Sequence, residues 1–145
     1  MKNEKGFTLV ELVLVIVVLG ILAAFAVPKF IDVAKNARIA SINGFAGGLR
    51  SAVAVVKTQY MVVGTNTTPV TMADGSTVAV GIAGAAAGVP TGAAAGIGAA
   101  LNDTSGFTAA FGSPTTYQPT NGGSATCQVS YDPATGAVTT TTGGC

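Results

Sequence analysis

Residues 5–28 read KGFTLVELVLVIVVLGILAAFAVP. Within them, residues 7–27 are apolar except for Thr8, Glu11 and Gly20. A helix of this length measures about 31 Å at ~1.5 Å per residue, which is close to the hydrocarbon thickness of a bilayer. The segment therefore predicts a membrane-spanning helix that carries one carboxylate near its N-terminal end.

The composition limits what this chain can do chemically. Its 145 residues are enough for one modest domain, and 49% of them are hydrophobic while 9% are charged. The chain has no histidine, which excludes a Ser-His-Asp triad and any zinc or haem site that needs an imidazole. A net charge of +1 argues against direct nucleic-acid binding. We expect no enzymatic activity, no metal and no cofactor.

Charge is unevenly distributed along the chain. All seven Lys and Arg residues lie in the first 57 residues. The remaining 88 residues hold three charged side chains, Asp74, Asp103 and Asp132, and are crowded with Gly, Ala, Thr and Ser. No paired carboxylates and no basic side chains remain there to activate a serine or threonine nucleophile.

Apolar residues keep recurring at helical spacing after residue 28. Steps of three, four and their multiples mark one helical face. These residues are Phe30, Ala34, Ala37, Phe45, Leu49, Ala52, Val56 and Tyr60. We therefore predict that the helix leaves the membrane and continues, amphipathic, over residues 29–63. Gly64, Asn66 and Pro69 then end it.

The C-terminal part, residues 64–145, predicts a small head with β-hairpins. Two short strands are expected on either side of Asp74-Gly75, or else one strand that leads into a loop. A second hairpin is expected from 125–131 to 137–142, since apolar and polar residues alternate there and a Pro- and Gly-containing turn joins them.

The segment 81–101 between these hairpins is dominated by Ala and Gly. We predict a small-residue helix over residues 91–101, which would pack closely against another helix or a neighbouring subunit. A flexible surface loop is the alternative. The glycines of 81–101 lack the strand-to-helix spacing of a dinucleotide-binding site, and no lysine follows them as it would in a P-loop.

The string Lys5-Gly6-Phe7-Thr8-Leu9-Val10-Glu11, followed by apolar residues and Pro28, resembles the class III signal of type IV pilins. The resemblance implies cleavage between Gly6 and Phe7 by a membrane prepilin peptidase, and N-methylation of the new Phe7 amine. In that family the carboxylate at the position of Glu11 is needed for filament assembly and faces the N-terminal amine of a neighbouring subunit.

A pairing role for Glu11 is physically reasonable. A carboxylate near the centre of a membrane span costs up to ~3 kcal/mol, and an ammonium partner in a dry helical bundle offsets part of that cost. Such a pair would set the axial register between subunits. The alternative is that Glu11 lies close enough to the interface to reach lipid headgroups.

Gly20 and Pro28 also align with pilin positions, between which the helix is often partly melted in related filaments. Pro28 lacks a backbone N–H, so a kink is expected there. For Gly20, close helix packing in lipid is the alternative.

Two cysteines, Cys127 and Cys145, lie near the C-terminus. In an exported domain they are most simply one disulfide, worth ~3 kcal/mol on the chain-entropy model. The run Cys127-Gln128-Val129-Ser130-Tyr131 ahead of a last cysteine most resembles the mannose-sensitive haemagglutinin subgroup of pilins.

The resemblance implies an α+β pilin fold, in which a long N-terminal helix carries a small antiparallel β-sheet head. The predicted parts are a leader (1–6), a membrane and filament-core helix (7–28), an amphipathic helix (29–63) and the head (64–145). The implied function is a structural pilus subunit that supports adhesion, surface motility or biofilm formation.

The implied partners are further copies of the chain in a helical filament, the prepilin peptidase and the assembly machinery of the inner membrane. The protein would be an inner-membrane precursor and then part of an extracellular pilus of a Gram-negative bacterium. Two alternatives stay open: a pseudopilin of a type II secretion system, and a signal-anchored, monomeric periplasmic binding domain.

Overall fold

The structure is a computed structural model that describes residues 6–64 and 66–145, without the side chains of 27–32. Residues 1–5 of the predicted leader lie outside the described residues, and so does the side chain of Pro28. Position 28 lies within the helix Leu9–Val63, and the predicted kink stays a prediction. The chain divides into two compact units, one ending at Ala37 and one spanning Arg38–Cys145.

The regular structure of the described residues consists of one long helix, six short strands and two short helical turns, Gly84–Ala86 and Ala94–Gly98. The elements are α1 (Leu9–Val63), β1 (Val70–Thr71), β2 (Thr77–Val78), β3 (Phe107–Ala110), β4 (Thr115–Pro119), β5 (Gln128–Tyr131) and β6 (Val138–Thr141). Strands β1 and β2 form an antiparallel pair, and β3-β4-β5-β6 form an antiparallel sheet in that order. The α+β fold class expected from the sequence is confirmed.

Helix α1 ends where the sequence predicts, at Val63. Gly64 has a positive φ of 111°, and its N–H donates to the Tyr60 carbonyl at 3.2 Å. A glycine in this conformation is a common helix stop because it lacks a Cβ. The Tyr60 hydroxyl also accepts a 2.9 Å hydrogen bond from the Asn66 N–H, which draws the following loop back onto the helix.

The core of the second unit forms between one face of α1 and the sheet. The buried helix residues follow steps of four and three: Ile42, Ala46, Leu49, Val53, Val56 and Tyr60. The predicted face includes three of them, Leu49, Val56 and Tyr60, whereas Ala34 and Ala37 are exposed. The stripe is therefore rotated slightly from the predicted one, and Phe45 and Ala52 lie at its half-buried edge.

The sheet contributes alternate side chains to this core, as its pleat requires. Tyr117 of β4 and Val129 and Tyr131 of β5 are fully buried. The Phe45 ring of α1 stacks on Phe107 of β3 at a centroid distance of 4.2 Å. The aromatic residues thus fix the sheet against the helix.

The predicted helix over 91–101 is wrong. Only Ala94–Gly98 is helical, as a single π-type turn. The Ala79 N–H donates to the Ala95 carbonyl at 2.8 Å, so the segment is tied to the β2 region instead of continuing as a helix. A Cβ on Gly92 would collide with the Gly112 carbonyl, and one on Gly96 would collide with the Thr91 backbone. The glycines permit close backbone approach within this unit.

Two buried tyrosines, Tyr131 and Tyr117, differ in whether their hydroxyl groups are hydrogen-bonded. The Tyr131 hydroxyl donates a 2.6 Å hydrogen bond to the Pro90 carbonyl. The Tyr117 hydroxyl is buried without a partner among the described residues. Burial raises the pKa of Tyr117 to about 12, and it also raises the pKa of Tyr131, so both hydroxyls stay protonated at neutral pH.

We expect Tyr131→Phe to lower the free energy of unfolding by about 1–3 kcal/mol, because the buried Pro90 carbonyl loses its donor. Tyr117→Phe, the matched control, should leave stability unchanged or raise it by up to about 1 kcal/mol, since it removes a polar atom without a partner. Thermal unfolding of the full chain in mild detergent, followed by circular dichroism, measures both. Equal losses in the two variants would contradict the role given to the Tyr131 hydrogen bond.

Candidate assembly site

The helix of the first unit presents apolar side chains on all sides. Every large apolar side chain from Leu9 to Phe25 is between 42% and 78% exposed. The segment Leu9–Ala26 is long and apolar enough to cross a membrane, and none of it is buried within the chain. A second segment, Val33–Val63, passes the same test, but 28% of its qualifying 18-residue stretch is buried within the chain. A helix that is apolar all round needs lipid or other protein around it.

Glu11 is engaged at the start of this helix. Its Oε2 atom accepts a 2.9 Å hydrogen bond from the Thr8 N–H and a 2.7 Å hydrogen bond from the Thr8 hydroxyl. The Glu11 N–H in turn donates to Thr8 Oγ1 at 3.3 Å. This reciprocal arrangement is a capping box, which satisfies backbone donors that an N-terminal turn leaves unpaired. The carboxylate is therefore held at the N-terminal end of α1.

Thr8 is a functional residue for which no role was predicted from the sequence. The spacing Thr-x-x-Glu from Thr8 to Glu11 is the usual signature of a capping box, and it could have been recognised. The predicted pairing of Glu11 with a neighbouring amine concerns a second copy, and it stays a prediction.

The predicted processing site lies outside the helix. Gly6 and Phe7 precede the first residue of α1, and Phe7 is 78% exposed. Their peptide bond is therefore not involved in helical hydrogen bonding. Gly20 lies within α1, and an added Cβ would meet nothing within 4 Å. Cleavage, methylation and the behaviour of Gly20 in a filament stay predictions.

The C-terminal loop is fastened in two ways. Cys127 and Cys145 form a disulfide with a Cα–Cα distance of 4.9 Å, across a sequence separation of 18. Arg38 of α1 donates to the Cys145 carbonyl from Nε at 3.0 Å and from Nη2 at 2.6 Å. Its guanidinium lies over Gly122, where an added Cβ would approach Arg38 Nη1 to 3.2 Å. One arginine thus joins the helix, the β4–β5 turn and the C-terminal residue.

A second arginine acts in a similar way. Arg50 Nη2 donates to the Val138 carbonyl at 3.1 Å, which ties α1 to strand β6. No role was predicted from the sequence for either Arg38 or Arg50. A contact between a helix residue and a main-chain carbonyl about 100 residues away leaves no signal in local spacing.

The three carboxylates of the head are hydrogen-bonded locally, and Asp74 and Asp103 are exposed while Asp132 is half-buried. Each of Asp74, Asp103 and Asp132 accepts hydrogen bonds from the residues that follow it in its own loop. These bonds lower the three pKa values, for Asp74 chiefly through the Ser76 hydroxyl. Among the described residues, no three His, Cys, Asp or Glu side chains gather in a metal-binding group. The head therefore carries separate negative charges on its surface.

The N-terminal residues agree with a known sequence motif. Residues 1–27 match the prokaryotic N-terminal methylation motif. This confirms the resemblance to type IV pilins at the level of the motif. The mannose-sensitive haemagglutinin subgroup stays a prediction.

Similar proteins include several pilus and fimbrial components. The type IV narrow pilus major component PilA5 of Thermus thermophilus is 49% identical over 57 residues, 39% of this chain and 49% of that protein. A fimbrial protein of Moraxella nonliquefaciens is 42% identical over 53 residues, 37% of this chain and 34% of that protein. The type IV major fimbrial protein FimA of Dichelobacter nodosus is 43% identical over 51 residues, 35% of this chain and 32% of that protein.

The chain thus spans about a third to a half of the length of these relatives. No solved structure matches it.

Proposed function

We propose that this chain is the structural subunit of a type IV pilus, and that it assembles through its N-terminal helix. The observation that carries the proposal is the methylation motif over residues 1–27, directly joined to a helix whose apolar side chains are exposed all round. The names of the similar proteins, which include major pilus and fimbrial components, support the same assignment.

The apolar surface of the helix suits both proposed states of the subunit, the precursor in the membrane and the assembled filament. Before assembly, a bilayer would surround Leu9–Ala26 and cover its apolar surface. In the filament, the same segments of other copies would replace lipid, so apolar contact would be kept throughout. The prepilin peptidase and the inner-membrane assembly machinery would be the partners for processing and extrusion.

The proposed life cycle sets the location and the use of the protein. It would be an inner-membrane precursor and then an extracellular fibre of a Gram-negative bacterium. The fibre would serve adhesion, surface motility or biofilm formation. Function would then come from polymerisation, and we propose no enzymatic role.

The intact mass of the main component of sheared, purified fibres tests this proposal. Under non-reducing conditions we expect residues 7–145, with one added methyl group and two fewer hydrogens. That mass reports cleavage after Gly6, methylation of Phe7 and the Cys127–Cys145 bond together. Reduction should then add the two hydrogens back, which serves as an internal control for the disulfide.

Two other results would contradict the proposal, and each favours one alternative. A chain that stays in the membrane with residues 1–6 attached would favour an anchored, monomeric binding domain. A processed chain found only in the cell envelope, with no surface fibre, would favour a pseudopilin of a type II secretion system.

A further inference from the structure

A groove of about 530 Å³ lies beside α1 in the second unit, between the helix, the β1–β2 turn and the segment 99–103. Its lining is largely apolar and includes Phe45, Val55 and Leu101. Asp74 and Asp103 also line it. The groove therefore combines an apolar floor with two carboxylates.

On the helix side, the groove is widened by a glycine that has no side chain to fill it. Gly48 lines the groove, and a Cβ added there would meet nothing within 4 Å. Glycine in a helix interior is unfavourable relative to alanine, so a helical glycine is expected to serve some close contact. Among the described residues no such contact is present at Gly48. The open space is available to an occupant from outside the chain.

The two carboxylates at the groove are fixed in position and charge. Asp74 Oδ1 accepts from the Ser76 N–H and hydroxyl at 2.9 and 2.6 Å. Asp103 accepts from the Ser105 N–H at 2.7 Å and from its hydroxyl at 2.9 Å. Hydrogen bonds of this kind favour the ionised carboxylate and restrict its orientation. An occupant with a positive charge would match them.

The same unit carries a matching surface on the opposite side of α1. Lys57 follows Gly48 by nine residues, which at about 100° per residue places it about 180° around the helix. Lys57 is exposed, whereas Arg38 and Arg50 donate to main-chain carbonyls of their own unit. Met61, one helical turn after Lys57, is 63% exposed. This Lys57–Met61 face joins a cation to a flexible apolar side chain.

We propose that the groove seats the Lys57–Met61 face of a second copy of this chain. Met61 would fill the apolar floor, and Lys57 would approach Asp74 and Asp103. The inference rests on the proposed function, because it specifies a contact between subunits of the fibre. Exposed ion pairs contribute little affinity, so the charges chiefly set the register while the apolar contact holds the copies together.

The placement of the two surfaces determines the kind of assembly. A twofold dimer needs one patch that is complementary to itself. Here the groove and the Lys57–Met61 face are different patches on opposite sides of α1, so each copy leaves one of each free. A head-to-tail contact of this type repeats without closing when its rotation does not close a ring, which produces a helical filament.

Charge reversal tests the contact in cells that make fibres. We expect Lys57→Glu to lower the yield of sheared fibres at least about tenfold, and Asp74→Lys with Asp103→Lys to do the same. Combining all three changes should restore the yield to within about threefold of the wild type. Asp132→Lys is the matched control, since Asp132 does not line the groove, and its yield should stay normal. The amount of each subunit in the membrane is measured in parallel.

Carbodiimide cross-linking of wild-type fibres gives a second measurement that needs no variant. A covalent dimer whose linked peptides join Lys57 to Asp74 or Asp103 supports the contact. Dimers linked only through other residues overturn it, and so does normal fibre yield from Lys57→Glu. Either of those results leaves the pilus subunit intact as a function. Absence of fibres from the wild-type chain overturns both proposals.

Discussion

Replacing Glu11 with alanine is expected to abolish fibres while leaving the subunit inserted in the membrane. Insertion should persist because alanine is cheaper than a carboxylate in an apolar span. In the proposed filament, the change would leave the Phe7 ammonium of a neighbouring copy unpaired in a dry bundle. An uncompensated buried charge costs about 3–5 kcal/mol, which is at least ~100-fold in an association constant. Fibre yield after shearing and the membrane content of the subunit measure the two effects.

The capping box in the structure allows the charge of Glu11 to be separated from its capping role. Glutamine also serves at this position of a capping box, so Glu11→Gln keeps the cap and removes the charge. Thr8→Ala does the reverse, since it removes the hydroxyl bonded to Glu11 at 2.7 Å and keeps the carboxylate. We expect Glu11→Gln to fail like Glu11→Ala, and Thr8→Ala to assemble. Normal fibres from Glu11→Gln would refute charge pairing and assign Glu11 to the cap alone.

The sequence predicts those parts of the fold that depend on local chemistry. The end of α1 follows from Gly64 and Pro69, because both disfavour continuation of a helix. The hairpin around Asp74-Gly75 and the one that ends in β6 follow from turn residues that separate two strand-forming segments. The cysteines could be paired because the chain contains two of them. Each of these features is encoded within a short span of residues.

The features that the sequence did not reveal depend on contacts between distant segments. The composition of 91–101 predicts a helix, but Gly92 faces the Gly112 carbonyl, which only the folded chain brings near. Strands β3 and β4 were not predicted. Buried and half-buried residues alternate regularly in Thr115–Pro119, but only the folded structure shows this. Likewise, the groove forms only where distant segments meet beside α1, so the sequence did not predict it or its relation to the Lys57–Met61 face.

Edge strand β6 explains why the C-terminal disulfide matters for the second unit. Its four residues are half-buried or exposed, and it pairs with β5 on one side only. Beyond that ladder, it and the following residues are held by the Arg50 and Arg38 hydrogen bonds, by the Gly144 N–H bonded to the Thr126 carbonyl at 2.9 Å, and by the disulfide to the buried Cys127. An edge strand with so little buried surface is expected to open locally once its covalent link is lost.

The double variant Cys127→Ala, Cys145→Ser should therefore lose about 2–5 kcal/mol of unfolding free energy. It keeps a main-chain carbonyl at position 145 for Arg38, so the loss reports the covalent link and the small change at the buried Cys127. Thermal unfolding of the full chain in detergent measures it, and a shift of several degrees is expected. Ala125→Ser, an exposed change in the same loop, should shift the midpoint little.

Reductant distinguishes the covalent link from the altered side chains. Added to the wild-type chain, it should reproduce most of the shift of the double variant, whereas the double variant itself should not respond. Equal midpoints for the oxidised and reduced wild type would mean that the strand ladder and the two arginines suffice to hold β6. In that case Arg38→Gln in the reduced chain should produce the missing destabilisation, because Arg38 makes the two hydrogen bonds that then tie Cys145 to α1.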